Sequence, residues 1–87
     1  MKPLRVWGVG LEGIYRGVVA ARSRASAARS LGVRDSYLKE YGSETGNKEE
    51  IEMAKSREGI PFRHTNWMSD WEWKINQVWQ KIPPEGA

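Results

Sequence analysis

The 87-residue sequence has no cysteine and only one histidine, His64. Without thiols there is no disulfide framework, no thiolate metal site and no thiol nucleophile. A single imidazole also excludes a multi-histidine metal centre. Apolar runs are short, and none approaches the roughly 20 residues that span a bilayer, so no membrane partner is expected. The opening Met1-Lys2-Pro3-Leu4-Arg5-Val6-Trp7-Gly8 holds no apolar stretch of signal-peptide length, which makes a cytoplasmic, intracellular setting the expectation. Phenylalanine occurs once, so the aromatic content rests on five tryptophans and three tyrosines. A chain of this size supports a single small domain, residues 1–87.

Net charge is a modest +3, but it is unevenly spread. Residues 1–42 carry six arginines and two lysines against Glu12, Asp35 and Glu40, a net +5, whereas residues 43–87 carry a net −2. Arginine presents a planar fork that suits phosphate or carboxylate. An arginine-rich half on a small protein therefore suggests a polyanionic partner, with nucleic acid first. The competing explanation is a solvated surface that maintains solubility.

The β-branched and aromatic stretches Leu4–Val9 and Ile14–Ala20 flank Gly10-Leu11-Glu12-Gly13, a pattern that predicts a β-hairpin over residues 1–22. Gly8-Val9-Gly10-Leu11-Glu12-Gly13 is also a literal G-x-G-x-x-G. A dinucleotide fold would require a helix directly after it. Gly17, Val18 and Val19 disfavour that helix, and no second parallel strand ending in an acidic residue is present, so no cofactor is expected. Over 23–42, Ser23 suits an N-cap, Arg24–Leu31 favours helix, and Gly32 suits a left-handed cap. Asp35 is placed to cap a second helix, Ser36–Tyr41, ended by Gly42. Ser43–Gly46 reads as loop.

Asn47 and Glu50 have capping-box spacing for a helix over 47–58, Lys48 to about Arg57. Glu49, Glu50, Glu52 and Glu58 then include residues at a helix start, where negative charge is favoured. The segment 60–82 begins with an extended piece, Ile60–Thr65, in which Pro61 implies an edge position. Trp67, Trp71, Ile75, Val78, Trp79 and Ile82 recur at intervals of three and four, the face of a helix closed by Pro83-Pro84. Trp71, Trp73 and Ile75 also alternate, which keeps a strand open. Trp67, Trp71 and Trp79 are expected in the core. Trp73 lies off their stripe and is the candidate partner-binding side chain. His64 lacks companions for a metal or a catalytic pair, and no catalytic residue is assigned.

Residues 24–41 resemble the helix-turn-helix pattern of DNA-binding proteins. Ala28 is small where the helices would cross, Gly32 supplies the turn, and Leu31, Val33, Leu38 and Tyr41 occupy the apolar positions. The resemblance implies that the second helix presents Arg34, Ser36, Tyr37 and Lys39 to the major groove. Arg22, Arg24 and Arg29 would contact phosphate. Asp35 opposes this, since it places a carboxylate near the tip of the recognition helix. A structural αα-corner uses the same alanines and glycine.

More broadly, Val18–Ser23, Ala27–Val33 and Tyr41–Asn47 resemble small proteins of phages and prophages. Such proteins are often regulators, or inhibitors of host enzymes and defence complexes. The expectation is an α+β fold: an N-terminal β-hairpin on short helices, with a helix-turn-helix-like corner and a Trp-rich C-terminal segment. The expected function is non-enzymatic nucleic-acid binding, as in a phage-type regulator, commonly a homodimer. The alternative is an anti-CRISPR-like, phage-type protein that binds and inhibits a host nucleoprotein or defence complex.

Overall fold

A computed structural model describes residues 3–65 and 71–82. Trp67, Asp70 and Pro83-Pro84 lie outside the described residues. The fold is α+β. Among the described residues, six strands form one antiparallel sheet: β1 (Arg5–Leu11), β2 (Tyr15–Ala21), β3 (Ser43–Glu44), β4 (Phe62–Thr65), β5 (Glu72–Ile75) and β6 (Val78–Lys81). Their spatial order is β3-β1-β2-β4-β5-β6. The described residues also form three helices: α1 (Arg24–Leu31), α2 (Asp35–Tyr41) and α3 (Lys48–Lys55).

The sheet separates two apolar clusters, each served by alternate residues of β1 and β2. Val9, Leu11, Val19 and Ala21 join Ala27, Ala28, Leu31 and Leu38 of α1 and α2 on one face. Val6, Val18 and Ala20 join Ala54 of α3 and Phe62 on the other. Covering both faces explains why Val18-Val19-Ala20-Ala21 is continuously apolar rather than alternating. Each fully buried valine or leucine contributes about 1.5–3 kcal/mol.

The G-x-G-x-x-G glycines lie in β1 and the turn after it, where Glu12 and Gly13 have positive φ. That turn leads into strand β2 rather than a helix, and β2 pairs with β1 from Arg5↔Ala21 to Leu11↔Tyr15. Ser43–Glu44, expected as loop, is a short strand on β1, and Glu44 pairs with Arg5. Pro61 does not mark a sheet edge, because β4 lies between β2 and β5. The proline stands just ahead of β4, and its carbonyl accepts from Lys74 N–H.

Of the two readings open for 71–82, the structure has the strand. The three-and-four spacing does not form a helix here. Strands β5 and β6 pair from Glu72↔Lys81 to Ile75↔Val78 around Asn76-Gln77. Both turn residues have positive φ, as a two-residue type I′ hairpin requires. Trp71 and Trp79 are half-buried rather than central to the core. The Arg63 guanidinium sits 4.0 Å from the Tyr15 ring centroid and 4.4 Å from that of Trp79, and its Nε donates to Glu72 at 3.0 Å.

One ion pair ties the sheet to α3. Arg16 reaches across the sheet face to donate to both carboxylate oxygens of Glu50, at 3.1 and 3.0 Å, and Thr45 donates to Glu50 at 2.6 Å. Asn47 caps α3 by accepting from the Glu50 N–H at 3.0 Å. The Asn47 N–H donates to the Thr45 hydroxyl oxygen at 3.1 Å, so the Glu50 side chain serves the pair instead of reaching back to the cap.

Candidate nucleic-acid interface

The α1–α2 corner forms for local reasons. Ser23 is extended, and its Oγ accepts from the Ser26 N–H at 3.2 Å, satisfying one of the orphan donors of α1. Ala27 and Ala28 are fully buried, and their small side chains let the helix lie close to β2. Gly32 closes α1 at φ +78°, while the Val33 N–H donates to the Ala28 carbonyl at 3.0 Å. The chain turns at once into α2, whose N-cap is Arg34 rather than Asp35. Leu38 anchors α2 beneath the corner.

Asp35 falls inside the first turn of α2, and its carboxylate is held by α1. Arg24 grips it in a fork, Nε to Oδ1 at 2.9 Å and the terminal nitrogen to Oδ2 at 3.3 Å. This hydrogen bonding, opposed by desolvation and aided by the charges of Arg24 and Lys39, holds the Asp35 carboxyl below the usual range. The pair offsets the charge that would repel phosphate, but it also occupies Arg24.

Arg22 pairs with Glu58 at 3.5 Å. With Arg5, Trp7 and Arg24 it lines a notch of about 330 Å³ beside the start of α1. All three arginines of that notch already have carboxylate partners: Glu44 for Arg5, Glu58 for Arg22 and Asp35 for Arg24.

Side chains expected on the recognition helix divide into two groups. The Tyr37 hydroxyl donates to the Gly10 carbonyl at 2.9 Å, and its ring lies against Tyr41, so Tyr37 fastens α2 to β1. Arg34, Ser36 and Lys39 are exposed. Tyr41 does not fill an apolar position between the helices, being 66% exposed. Asp35 and Glu40 share the solvent side of α2 with the cations, leaving that short helix nearly balanced in charge.

Arg29 and Arg34 have no ion-pair or hydrogen-bond partner for their side chains among the described residues. Arg29 lines a cleft of about 280 Å³ together with Ser30, Gly59, Pro61, Lys74, Asn76 and Gln77. Lys74 reaches from β5 to the α1–α2 turn, and a Cβ placed on Gly32 would lie 3.7 Å from its Nζ. The cleft thus combines two cations, a hydroxyl and two amides, with no carboxylate among its lining residues. Gln77 holds φ +66° at a turn position that favours glycine, and such strain tends to persist at functional sites.

Of the expected residues, Arg29 and Arg34 flank this turn, while Arg22 and Arg24 lie together at the other end of α1. Lys74 escapes a reading by charge because it belongs to the acidic half of the sequence. The alternation of Trp71, Trp73 and Ile75 is the available signal, since a strand there turns Lys74 to the opposite face. Trp73 itself is half-buried on the α3 side, against Phe62. His64 packs against Trp71 with ring centroids 4.1 Å apart.

Among the described residues no three His, Asp or Glu side chains cluster as metal ligands would, and no helix is long and apolar enough to cross a membrane. Comparison with protein-family models, curated proteins and solved structures finds no match to this chain.

Proposed function

We propose that this chain is a non-enzymatic nucleic-acid-binding protein that holds the phosphate backbone at its α1–α2 corner. The observation that carries the proposal is the carboxylate-free cleft of Arg29 and Lys74, bordered by Ser30, Asn76 and Gln77, with unpaired Arg34 at the next turn. Guanidinium, ammonium, hydroxyl and amide donors are the groups that bind phosphodiester oxygens.

The same geometry favours positioning over sequence readout. Helix α2 has seven residues, carries Asp35 and Glu40 on its solvent side, and has committed the Tyr37 hydroxyl to Gly10. Base-edge reading requires several free side chains on such a helix.

The test is a salt series of oligonucleotide affinity for wild type and for Arg29→Ala/Lys74→Ala. Phosphate contacts predict that log affinity falls linearly with log salt. The double variant should flatten that slope by about 0.7–0.9 for each cation removed. Equal slopes in the two proteins, or no binding at low salt, would overturn the proposal. The second result would direct the search to a protein partner.

A further inference from the structure

A second cleft, of about 470 Å³, lies on the α3 side of the sheet, lined by Arg57, Ile60, Trp73, Ile75, Gln80 and Lys81. Its size is that of small-molecule sites, and so is its make-up of apolar walls with a few polar groups. Trp73 packs against Phe62 with ring centroids 6.1 Å apart, and the Arg57 guanidinium carbon is 5.7 Å from the Trp73 centroid. Ile60 and Ile75 form further walls. Gln80, directly across from Trp73 in the β5–β6 ladder, is exposed. Arg57 and Lys81 are exposed and form no ion pair with a described residue.

We infer that this cleft takes one unstacked nucleobase of a single-stranded nucleic acid whose phosphates lie in the Arg29–Lys74 cleft. The inference rests on the polyanion binding proposed above and names its substrate class. An indole between isoleucine walls offers an apolar stacking surface for any base. The Gln80 amide supplies a donor and an acceptor for a base edge. Arg57 and Lys81 add the charge that a flanking phosphate needs, which a neutral apolar ligand would leave unused.

Placement links the two clefts. Gly59 and Pro61 line the cationic one and Ile60 the aromatic one, just as Lys74 and its neighbours Trp73 and Ile75 divide between them. Successive residues of β5 thus open onto different clefts, and Ile75 of the aromatic one leads directly into the Asn76-Gln77 turn that lines the cationic one. A flexible single strand can round that turn. A duplex, stiff over about 150 base pairs and with its bases stacked, cannot do so without a large deformation cost.

The experiment compares, at low salt, the affinity of three probes. They are a single-stranded deoxyoligonucleotide of about ten nucleotides, an abasic phosphodiester of equal length, and the duplex of the same sequence. The single strand should bind about 5- to 100-fold more tightly than the abasic probe and more tightly than the duplex. Trp73→Leu, which keeps apolar packing on Phe62, and Gln80→Ala at an exposed site should each bring single-strand affinity toward the abasic level. Abasic affinity should be unchanged in both.

Equal single-strand and abasic affinities, a duplex preference, or full single-strand affinity in both variants would overturn the inference. The wild-type comparison does not depend on either variant folding. Salt-sensitive binding of the abasic probe with no gain from bases would leave the backbone proposal standing while the base cleft fell. Loss of binding by every probe would remove both.

Discussion

Replacing Glu50 by glutamine tests how α3 is fastened to the sheet. The substitution keeps the shape of the side chain and removes its charge, so no cavity complicates the result. Glu50 is 7% exposed and accepts two bonds from Arg16 and one from Thr45. Breaking a fully buried ion pair costs about 3–5 kcal/mol, whereas exposed pairs contribute about 0–1. The Arg16 side chain is 39% exposed and can regain water once its partner is gone. The expected cost therefore lies between these limits, at about 2 kcal/mol. For a domain of this length that lowers the melting temperature by about 10 °C.

Burial works to raise the pKa of Glu50, but hydrogen bonds from Arg16 and Thr45, together with the charges of Arg16 and His64, outweigh it, and the net shift is downward. A carboxyl with its folded pKa below its unfolded value of about 4.3 stabilises fully above that value. The contribution is lost as pH falls through the folded pKa. The gap between wild type and Glu50→Gln should accordingly be full at pH 7 and close in strong acid. Urea unfolding followed by tryptophan fluorescence and circular dichroism reads both quantities. A gap under about 0.5 kcal/mol at pH 7, or one that persists unchanged in acid, would refute the reasoning.

Gly8→Ala places a Cβ 2.6 Å from the Arg16 guanidinium, so it should disturb the same pair. Its cost should be strongly non-additive with that of Glu50→Gln in a double-mutant unfolding cycle. Leu38→Ala, at a side chain 1% exposed beneath α2, should lose about 2–5 kcal/mol in urea unfolding. Gly32→Ala, at φ +78°, should cost about 1 kcal/mol with the fold intact by circular dichroism. Asp35→Asn frees Arg24 from its fork and should leave the melting temperature nearly unchanged. It should also raise oligonucleotide affinity by roughly two- to ten-fold, as measured by anisotropy.

The features legible in the sequence are mostly local. Ser23, Gly32 and Asn47 act as stops and starts because side-chain oxygens and positive φ are properties of single residues. The tryptophan-rich segment is ambiguous because Trp71, Ile75, Val78, Trp79 and Ile82 fit a three-and-four spacing while Trp71, Trp73 and Ile75 alternate. Pairing with β4 resolves it, and pairing is a long-range fact. Glu50 looks like one of several solvated acids near a helix start, since its partner Arg16 is 34 residues away. Basic residues are legible as a charge excess. Which of them remain unpaired is not, because Arg24 and Asp35 meet only when the corner folds, and Lys74 comes to line one cleft with Arg29 only when β5 joins the sheet.

The most direct test of the central claim is an amide chemical-shift titration of the labelled protein with a single-stranded oligonucleotide at low salt. Saturable shifts are expected at Arg29, Ser30, Gly32 and Lys74 to Gln77, continuing to Trp73 and Gln80, and reversed by added salt. Shifts confined to the Arg5–Arg22–Arg24 notch, or no shifts at a several-fold excess of oligonucleotide, would contradict it.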